Sequence, residues 1–398
     1  MARADRGLAR RLLALLVLLL APLAGFAAPR IGVVTMQPGE IFWERFGHDA
    51  VVVVDPVSGA ATSYNYGFFD PAEPGFAGNF VRGVMRYRLV ALPFEQDLAT
   101  YRDEGRGVSI QWLRLTDAQA DALAAALDEN ARPENAAYAY DYFRDNCATR
   151  VRDVLDRTLG GALRRQLAGR SHGSSYRSES VRLASPATWM WLGFDFGLGP
   201  RADRPLSIWD EAFVPMRLAD ALRDVTIDGR PLVESQTRVL PHRLAPEPVE
   251  GPRATWPWAL AGIALALACI ASRRRARLVG AAALAFWLAS GLLGLLMLYL
   301  WLGTAHQFAW ANRNLLLASP LALLALPGAL RMLRGRDAGA LMRRVTPLLA
   351  GMAVAAMFAS WLEPAAQDNA RWIALLLPVH LGLWAALRGR ATTAEAAP

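Results

Sequence analysis

The chain has 398 residues, 54% of them hydrophobic, and its mean hydropathy of +0.20 excludes an ordinary soluble globular protein. Its net charge of +8 comes from arginine, since the sequence contains no lysine. The arginines cluster beside apolar segments and are not interleaved with aromatic residues. This pattern is typical of the positive-inside bias of membrane proteins, so we expect a membrane partner and no nucleic acid partner.

The N-terminus has the pattern of a secretory signal peptide. Four arginines precede a short apolar core at residues 12–20, and Gly25-Phe26-Ala27 forms a small-x-small cleavage site. We therefore expect residues 1–27 to be a signal peptide. The alternative is an uncleaved signal anchor. No cysteine follows the cleavage site, so the chain itself is not predicted to be a lipoprotein.

Residues 28–245 are predicted to form one exported α+β domain. Segments 30–35, 51–54 and 62–67 have the composition of strands. His48 lies where the chain enters the second of these strands, and Asn65 lies on the third. In an antiparallel pair the two side chains can face each other, and the amide oxygen of Asn65 would fix the imidazole tautomer. The alternative for both residues is an ordinary structural role.

Further elements are predicted along this domain. Segment 79–92 is interpreted as a strand pair and segment 107–115 as another strand. Thr116-Asp117-Ala118-Gln119 is a capping box that opens a helix. Residues 207–222 are predicted to form a helix that mixes apolar and charged side chains. It is either a lid or membrane-surface helix, or an ordinary packed helix.

Cys147 is the candidate nucleophile. Asp145 or Asn146 can cap a helix, and apolar residues at 151, 155 and 159 recur at the spacing of one buried face. Gly160-Gly161 marks the end of this helix, which puts Cys147 in its first turn. The amide N–H groups and the helix dipole at that position favour a thiolate. The alternative is a small buried hydrophobic residue at a helix start.

The chain has two cysteines, and no disulfide is expected because Cys269 lies in an apolar, membrane-type segment. Cys269 is interpreted as a helix-packing residue, whereas a lone thiol in an exported domain is a candidate reactive group. Neither cysteine nor any of the five histidines has zinc-type spacing, so we expect no metal and no cofactor.

Four aromatic residues lead into the cysteine segment: Tyr138, Tyr140, Tyr142 and Phe143. They are predicted to pack around it, and the alternative is that they grip an acyl chain.

The C-terminal half is predicted to be an all-α membrane domain. Residues 246–255 form a proline-rich tether, residues 256–390 hold five spans, and residues 391–398 form a cytoplasmic tail. The predicted spans are 256–272, 278–302, 315–330, 345–362 and 372–387. Arginines fill alternate connections, which puts the 273–277 connection in the cytoplasm and the N-terminal domain outside it.

One outward connection, residues 304–314, is polar and aromatic. It contains His306, Asn312 and Asn314 and is predicted to lie on the same side of the membrane as Cys147. It is either an interfacial aromatic belt or the part of the chain that completes a lipid-facing site.

Several motifs carry a resemblance to a known family. Phe46-Gly47-His48, Tyr64-Asn65-Tyr66-Gly67 and Asn146-Cys147-Ala148-Thr149-Arg150 resemble the exported N-terminal domain of Lnb-type bacterial lipoprotein N-acyltransferases. The order of histidine, polar residue and cysteine is also similar to circularly permuted papain-like folds, including lecithin retinol acyltransferase. The later residues His306, Asn312, Asn314 and Leu315-Leu316-Leu317 resemble the Lnb membrane half.

This resemblance implies a permuted papain-like periplasmic domain in an enzyme of the bacterial inner membrane. Cys147 would be the nucleophile, His48 the base and Asn65 the orienting group. The resemblance also implies a phospholipid acyl donor and a diacylated lipoprotein whose N-terminal amine accepts the acyl chain. Substrate-binding residues would be His306, Asn312, Asn314 and Tyr142. The alternatives are an envelope cysteine amidase, peptidase or phospholipase, and a non-enzymatic envelope scaffold.

Overall fold

The computed structural model describes residues 27–249, 251, 253–359 and 366–395. The predicted signal peptide lies outside the described residues except for Ala27. Residues 396–398 of the predicted tail also lie outside them.

The N-terminal domain is built on a seven-stranded sheet in which all neighbouring strands are antiparallel. Its strands are β1 (Arg30–Met36), β2 (His48–Val54), β3 (Ala61–Phe68), β4 (Arg86–Pro93), β5 (Val108–Leu113) and β6 (Ala137–Ala139). The short strands β7 (Thr226–Ile227) and β8 (Arg230–Pro231) form a separate hairpin, and β9 (Val233–Leu240) completes the main sheet. The strand order is β6-β4-β3-β2-β1-β5-β9, so β2 and β3 lie side by side near the centre.

Helices cover both faces of this sheet. They are α1 (Phe76–Arg82), α2 (Phe94–Asp103), α3 (Asp117–Ala131), α4 (Pro133–Ala136), α5 (Cys147–Thr158), α6 (Ala162–Leu167), α7 (Tyr176–Ala184), α8 (Thr188–Gly197), α9 (Ile208–Glu211) and α10 (Pro215–Asp224). On one face, Val33 and Val51 pack in the same core as Leu123 of α3 and Leu155 of α5. On the other face, Val34, Ala50 and Val52 pack with Phe94 and Leu98 of α2. The predicted α+β class is confirmed.

Two sequence predictions within this domain are wrong in detail. Segment 79–92 is a short helix followed by a strand, because Gly75 and Gly83 adopt left-handed conformations that begin and end α1. Segment 207–222 forms two helices, since Pro215 starts α10 after a break. Both helices bury apolar side chains in the domain core, so this segment is packed and is not a lid.

The membrane half contains four helices long and apolar enough to cross a membrane, and one shorter apolar helix, within the described residues. The regular helices are α11 (Trp256–Ala271), α12 (Ala276–Leu302), α13 (Leu326–Leu333), α14 (Ala340–Ala359) and α15 (Ala370–Glu395). The third span is not one regular α-helix. Two 3₁₀ segments, Arg313–Leu316 and Pro320–Ala325, precede α13. The arrangement is compatible with about five membrane helices, as predicted.

The two halves are held together by buried polar contacts. Arg371 at the start of α15 forms an ion pair of 2.8 Å with Asp195 of α8, and Trp372 Nε1 donates a hydrogen bond to the same carboxylate. The outward connection also contacts the N-terminal domain, since Gly199 N donates to Phe308 O at 2.6 Å. Because their backbones are joined by this hydrogen bond, the N-terminal domain and the outward connection lie on the same side of the spans, as the charge pattern predicts.

Candidate active site

Cys147 occupies the first turn of α5, as predicted. Asn146 is the N-cap, and its side-chain oxygen accepts a hydrogen bond of 2.9 Å from Thr149 N. Thr149 Oγ1 in turn accepts one of 2.7 Å from Asn146 N. The amide of Asn146 also donates to the carbonyls of Tyr142 and Phe213, which fixes the approach of the chain to the helix. This capping box fixes the backbone at the start of α5, where Cys147 lies.

His48 and Asn65 face each other across β2 and β3, as predicted. Ala50 pairs with Asn65 in the antiparallel register, and His48 Nε2 lies 3.0 Å from Asn65 Oδ1. A carbonyl oxygen only accepts, so His48 Nε2 carries the proton and Nδ1 carries the free lone pair. Nδ1 is therefore the nitrogen that can take a proton from a thiol.

Two further residues, which the sequence did not point to, contact the NH₂ group of Asn65. Asn65 Nδ2 donates to Ser63 Oγ and to Asp97 Oδ2, each at 3.0 Å. Ser63 Oγ donates to the same Asp97 oxygen at 2.6 Å. Asp97 comes from α2, which packs on the face of the sheet that carries His48. Its only sequence signal is an acidic residue on a buried helix face.

The Cys147 thiol lies against the start of β2. Its sulfur accepts a hydrogen bond from the backbone N–H of Asp49, the residue that follows His48. The N–H groups of Ala148 and Cys147 itself also face the sulfur and lower its pKa. The burial of the sulfur raises the pKa more strongly than these groups lower it, and the charge of the buried Asp49 side chain raises it further. The pKa of Cys147 is therefore raised to about 12. The N–H groups at the helix start thus lower the pKa of the thiol, as predicted, but the burial of the sulfur, which the sequence did not reveal, outweighs them.

His48 is also held in its neutral form. Burial lowers the pKa of His48, and Arg106 acts in the same direction. The Asp97 carboxylate and the hydrogen bond to Asn65 oppose this change. Both pKa shifts favour the uncharged forms of the two groups, so an attack by this thiol on a substrate would require transfer of its proton to the imidazole.

Glycine is required at two positions beside the pair. Gly67 has a φ of +90°, and a Cβ atom there would lie 3.7 Å from Cys147 Cβ. Gly47 has a φ of +77°, and a Cβ atom there would lie 2.9 Å from the Met36 carbonyl oxygen. Both glycines of the two sequence motifs therefore let the backbone turn close to the candidate catalytic side chains.

A cavity of about 1040 Å³ joins these residues. His48, Asn65 and Cys147 line it, together with Asp97. Its remaining wall is mainly aromatic and apolar, with contributions from Phe42, Trp43, Phe46, Phe69, Phe76, Phe80, Tyr87, Tyr140, Tyr142, Trp189, Phe194, Phe213 and Phe308. The cavity reaches Leu300 in the long membrane helix α12. It is at the upper end of the usual size of ligand pockets, and its lining suits a long apolar chain.

His306 and Tyr142, predicted to bind substrate, both line this cavity. His306 Nε2 donates a hydrogen bond of 3.1 Å to the Phe80 carbonyl of α1, and Ala305 N donates to Arg82 O at 2.8 Å. The outward connection therefore forms one wall of the cavity. This position favours the lipid-facing alternative for the connection over a simple aromatic belt.

Asn312 and Asn314, also predicted to bind substrate, do not line the cavity. Both are buried, and the side-chain amide of each donates to the carbonyl of Phe196. Their amide oxygens accept from Gln367 and Asn369, at the junction with α15. These contacts correct the prediction: the two asparagines join the halves of the protein, because the C-terminal end of α8 leaves a carbonyl that needs buried donors.

The fold and the cavity define a multi-span membrane protein whose N-terminal sheet-and-helix domain encloses an apolar chamber next to the spans. Two family models match the sequence. The Lnb N-terminal periplasmic domain matches residues 25–184, and the Lnb transmembrane domain matches residues 252–362.

The chain belongs to the Lnb family, since the two matches together cover more than half of it. It is thus a membrane-associated envelope protein, and membership of this family suggests an enzyme. No curated protein and no solved structure matches the chain. The papain-like relationship therefore stays a prediction.

Proposed function

We propose that this protein is a lipoprotein N-acyltransferase that uses Cys147 as its nucleophile. It moves an acyl chain from a phospholipid to the N-terminal amine of a diacylated lipoprotein. One observation carries this proposal: the thiol and the imidazole open into a large aromatic cavity that extends to a membrane helix. A soluble peptide substrate would require neither the apolar lining nor the contact with the spans.

The first half-reaction transfers the acyl chain to sulfur. Cys147 Sγ attacks the ester carbonyl carbon of the phospholipid while Nδ1 of His48 takes the thiol proton. The tetrahedral intermediate then expels the glycerol oxygen, which receives that proton from His48. The products are a thioester on Cys147 and a lysophospholipid. Asn65 stabilises the transient imidazolium by accepting a hydrogen bond from Nε2.

The second half-reaction returns the thiol. The neutral amine of the lipoprotein attacks the thioester carbonyl, an amide bond forms and the C–S bond breaks. His48 accepts the amine proton and delivers it to the departing sulfur. An α-amine suits this step because its ordinary pKa is about 8, compared with about 10.4 for a lysine side chain.

Acyl transfer must compete with hydrolysis of the thioester. The aromatic wall supports transfer, because it limits the access of water and can hold the acceptor beside the thioester. Both proposed substrates are anchored in the bilayer, and the attached spans keep the N-terminal domain at the same membrane surface. A more open chamber would yield free fatty acid, the product of a phospholipase.

We place the protein in the bacterial inner membrane with residues 28–245 in the periplasm. The arginine-rich connection at 273–277 and the outward connection around His306 provide the test. Reporter fusions at Arg275 should be active only as cytoplasmic reporters, and fusions at Gln307 only as periplasmic ones. A periplasmic reporter that is active at Arg275 would contradict this topology.

The test of the reaction uses the purified full chain with phospholipid vesicles and a diacylated lipopeptide, followed by mass analysis of lipids and peptide. We expect lysophospholipid and N-acylated peptide in equal amounts. Cys147→Ser and His48→Ala should each lower the rate by roughly three orders of magnitude or more, because they act as a unit. Cys269→Ser is the matched control and should keep the normal rate.

Each other product pattern contradicts the proposal. Fatty acid without acylated peptide would identify a phospholipase. Cleavage of a cell-wall peptide without any change in lipid would identify an amidase or peptidase. Normal turnover by Cys147→Ala would exclude covalent catalysis by this thiol.

A further inference from the structure

We infer that Asp97 is a positioning residue, which fixes the orientation of Asn65 and thereby selects the tautomer of His48. The inference rests on the Cys–His mechanism proposed above. The evidence is a chain of hydrogen bonds. The NH₂ group of Asn65 donates to Asp97 of α2, and the oxygen of Asn65 accepts from His48 of β2. Ser63 also donates to Asp97.

The orientation argument follows from donors and acceptors. An asparagine side chain can present either its oxygen or its NH₂ group to a neighbour, and the two ends have nearly the same shape. A carboxylate only accepts hydrogen bonds, so Asp97 Oδ2 at 3.0 Å requires the NH₂ end of Asn65 to face α2. The oxygen of Asn65 must then face His48, and Nε2 must carry the proton. Without Asp97, a flipped Asn65 would donate to His48 and place the proton on Nδ1, where the base is needed.

The charge argument comes from comparing buried acids. Asp195 is paired with Arg371, and Glu179 is paired with Arg182 and Arg217. In the described part of the chain, Asp97 forms no ion pair although it is buried, and its contacts are neutral donors. When His48 takes the thiol proton, the resulting imidazolium provides the positive charge that the buried Asp97 lacks. Asp97 is therefore placed to stabilise the imidazolium through the amide of Asn65.

Charged groups from several elements surround the imidazole and bear on its titration. Asp97 comes from α2, Arg106 precedes β5, Cys147 begins α5, and Asp49 follows His48 on β2. Glu44 and Glu104 line the same cavity. Arg106 disfavours the imidazolium and Asp97 favours it, so removal of Asp97 leaves the opposing charge unbalanced. The pKa of His48 should fall as a result.

The test is nuclear magnetic resonance on the full-length protein in detergent, with ¹⁵N- and ¹³C-labelled histidine and no substrate. His48→Gln assigns the His48 signal among the five histidines. We expect the wild type to show the tautomer protonated at Nε2. Asp97→Asn keeps the shape but removes the charge and the obligate acceptor. It should mix the tautomers, move the His48 titration to lower pH and lower kcat by roughly 10- to 100-fold.

Two further variants separate positioning from folding. Asp103→Asn, at an exposed site on the same helix, should change neither the spectrum nor kcat. Asn65→Ala combined with Asp97→Asn should lose much less activity than the two single losses multiplied together, because Asp97 positions His48 through Asn65. An unchanged His48 tautomer and titration in Asp97→Asn would overturn the inference, as would additive losses in the double variant. Because the spectra need no substrate, an error in the proposed reaction would leave this test intact.

Discussion

The imidazole of His306 lies nearly parallel to the phenol ring of Tyr142, with ring centroids 5.9 Å apart and an angle of 17° between the planes. The two residues come from opposite halves of the protein. Tyr142 lies in the turn that leads to the N-cap of the cysteine helix, and His306 lies in the connection after the membrane helix α12. This stacked pair therefore links the membrane half to the wall of the cavity that contains Cys147.

The first prediction concerns this contact. His306→Ala removes the hydrogen bond to Phe80 O and the stacking on Tyr142, which together are worth about 2 kcal/mol. Since the contact shapes the cavity and does not touch the thiol, we expect KM for phospholipid to rise about tenfold with little change in kcat. Steady-state kinetics with vesicles of increasing lipid content provides the measurement.

His306→Gln is the matched variant for this prediction, because it keeps a side-chain donor for the Phe80 carbonyl. It should recover part of the lost affinity. A fall in kcat that exceeds the rise in KM would instead place His306 in the chemical step.

The second prediction concerns pH. Because burial raises the pKa of Cys147 to about 12, the thiol of the free protein stays protonated at neutral pH. Alkylation of Cys147 by iodoacetamide, in a Cys269→Ser background, should be slow at about pH 7. The rate should rise by about tenfold per pH unit from about pH 7 to about pH 10 without a plateau, since only the thiolate reacts.

The same protein unfolded in denaturant is the control for alkylation. Its cysteine should approach a plateau just above the ordinary thiol pKa of about 8.5. A plateau below about pH 7 in the folded protein would mean that Cys147 and His48 rest as an ion pair, contrary to this prediction.

The third prediction concerns the mouth of the cavity. Trp43 and Trp189 are 55% and 67% exposed although both line the cavity, and Trp189 stacks on Phe42 at 5.9 Å. Exposed tryptophans at such a site are typical of contact with the bilayer interface. We expect Trp43→Ser and Trp189→Ser each to raise KM for vesicle phospholipid by about five- to tenfold, since burial of a large apolar side chain is worth about 2 kcal/mol.

A soluble short-chain ester distinguishes membrane capture from chemistry in these variants, and its turnover should stay close to that of the wild type. Val57→Ser is the control, because Val57 is 78% exposed in the turn between β2 and β3 and does not line the cavity. Equal losses on vesicles and on the soluble ester would refute a role in membrane contact.

The fourth prediction concerns the junction of the two halves. Arg371 and Asp195 have side chains only 7% and 0% exposed. Arg371→Ala leaves a buried carboxylate without its partner, so we expect a loss of about 3–5 kcal/mol in the free energy of unfolding. The double variant Asp195→Asn with Arg371→Met should recover most of it, because neither group is then charged. Denaturant unfolding in detergent measures both values.

The exposed pair Arg343–Asp337, with side chains 47% and 54% exposed, is the control for the junction. Arg343→Ala should cost less than about 1 kcal/mol, since solvent screens surface ion pairs. Equal effects of Arg343→Ala and Arg371→Ala would show that the junction does not depend on its buried pair.

Local sequence signals predicted the positions of the candidate catalytic residues well. The cap at Asn146 and the spacing of apolar residues after it placed Cys147 in the first turn of a helix, and the structure confirms this. The composition of the segments that form β2 and β3 likewise predicted a strand pair with His48 opposite Asn65. Caps and strand composition depend on a few neighbouring residues, so they can be read without knowledge of the fold.

Other features depended on contacts between distant segments. Asp97 bonds Asn65 across 32 positions of sequence, and its place on the buried face of its helix does not by itself show which residue it contacts. Asn312 and Asn314 have polar side chains in an outward connection, which favoured a binding role. Only the packing of α8 against that connection shows that their donors serve the Phe196 carbonyl.

The sequence by itself determined the division into an exported domain and membrane spans, because hydropathy and arginine placement act over each segment independently. It also determined which helix start and which strands carry Cys147, His48 and Asn65. Only the tertiary structure decided the state of the thiol, because the pKa of Cys147 depends on how completely the surrounding elements remove water from the sulfur. The same packing decided the cavity, whose walls come from segments that lie far apart along the chain.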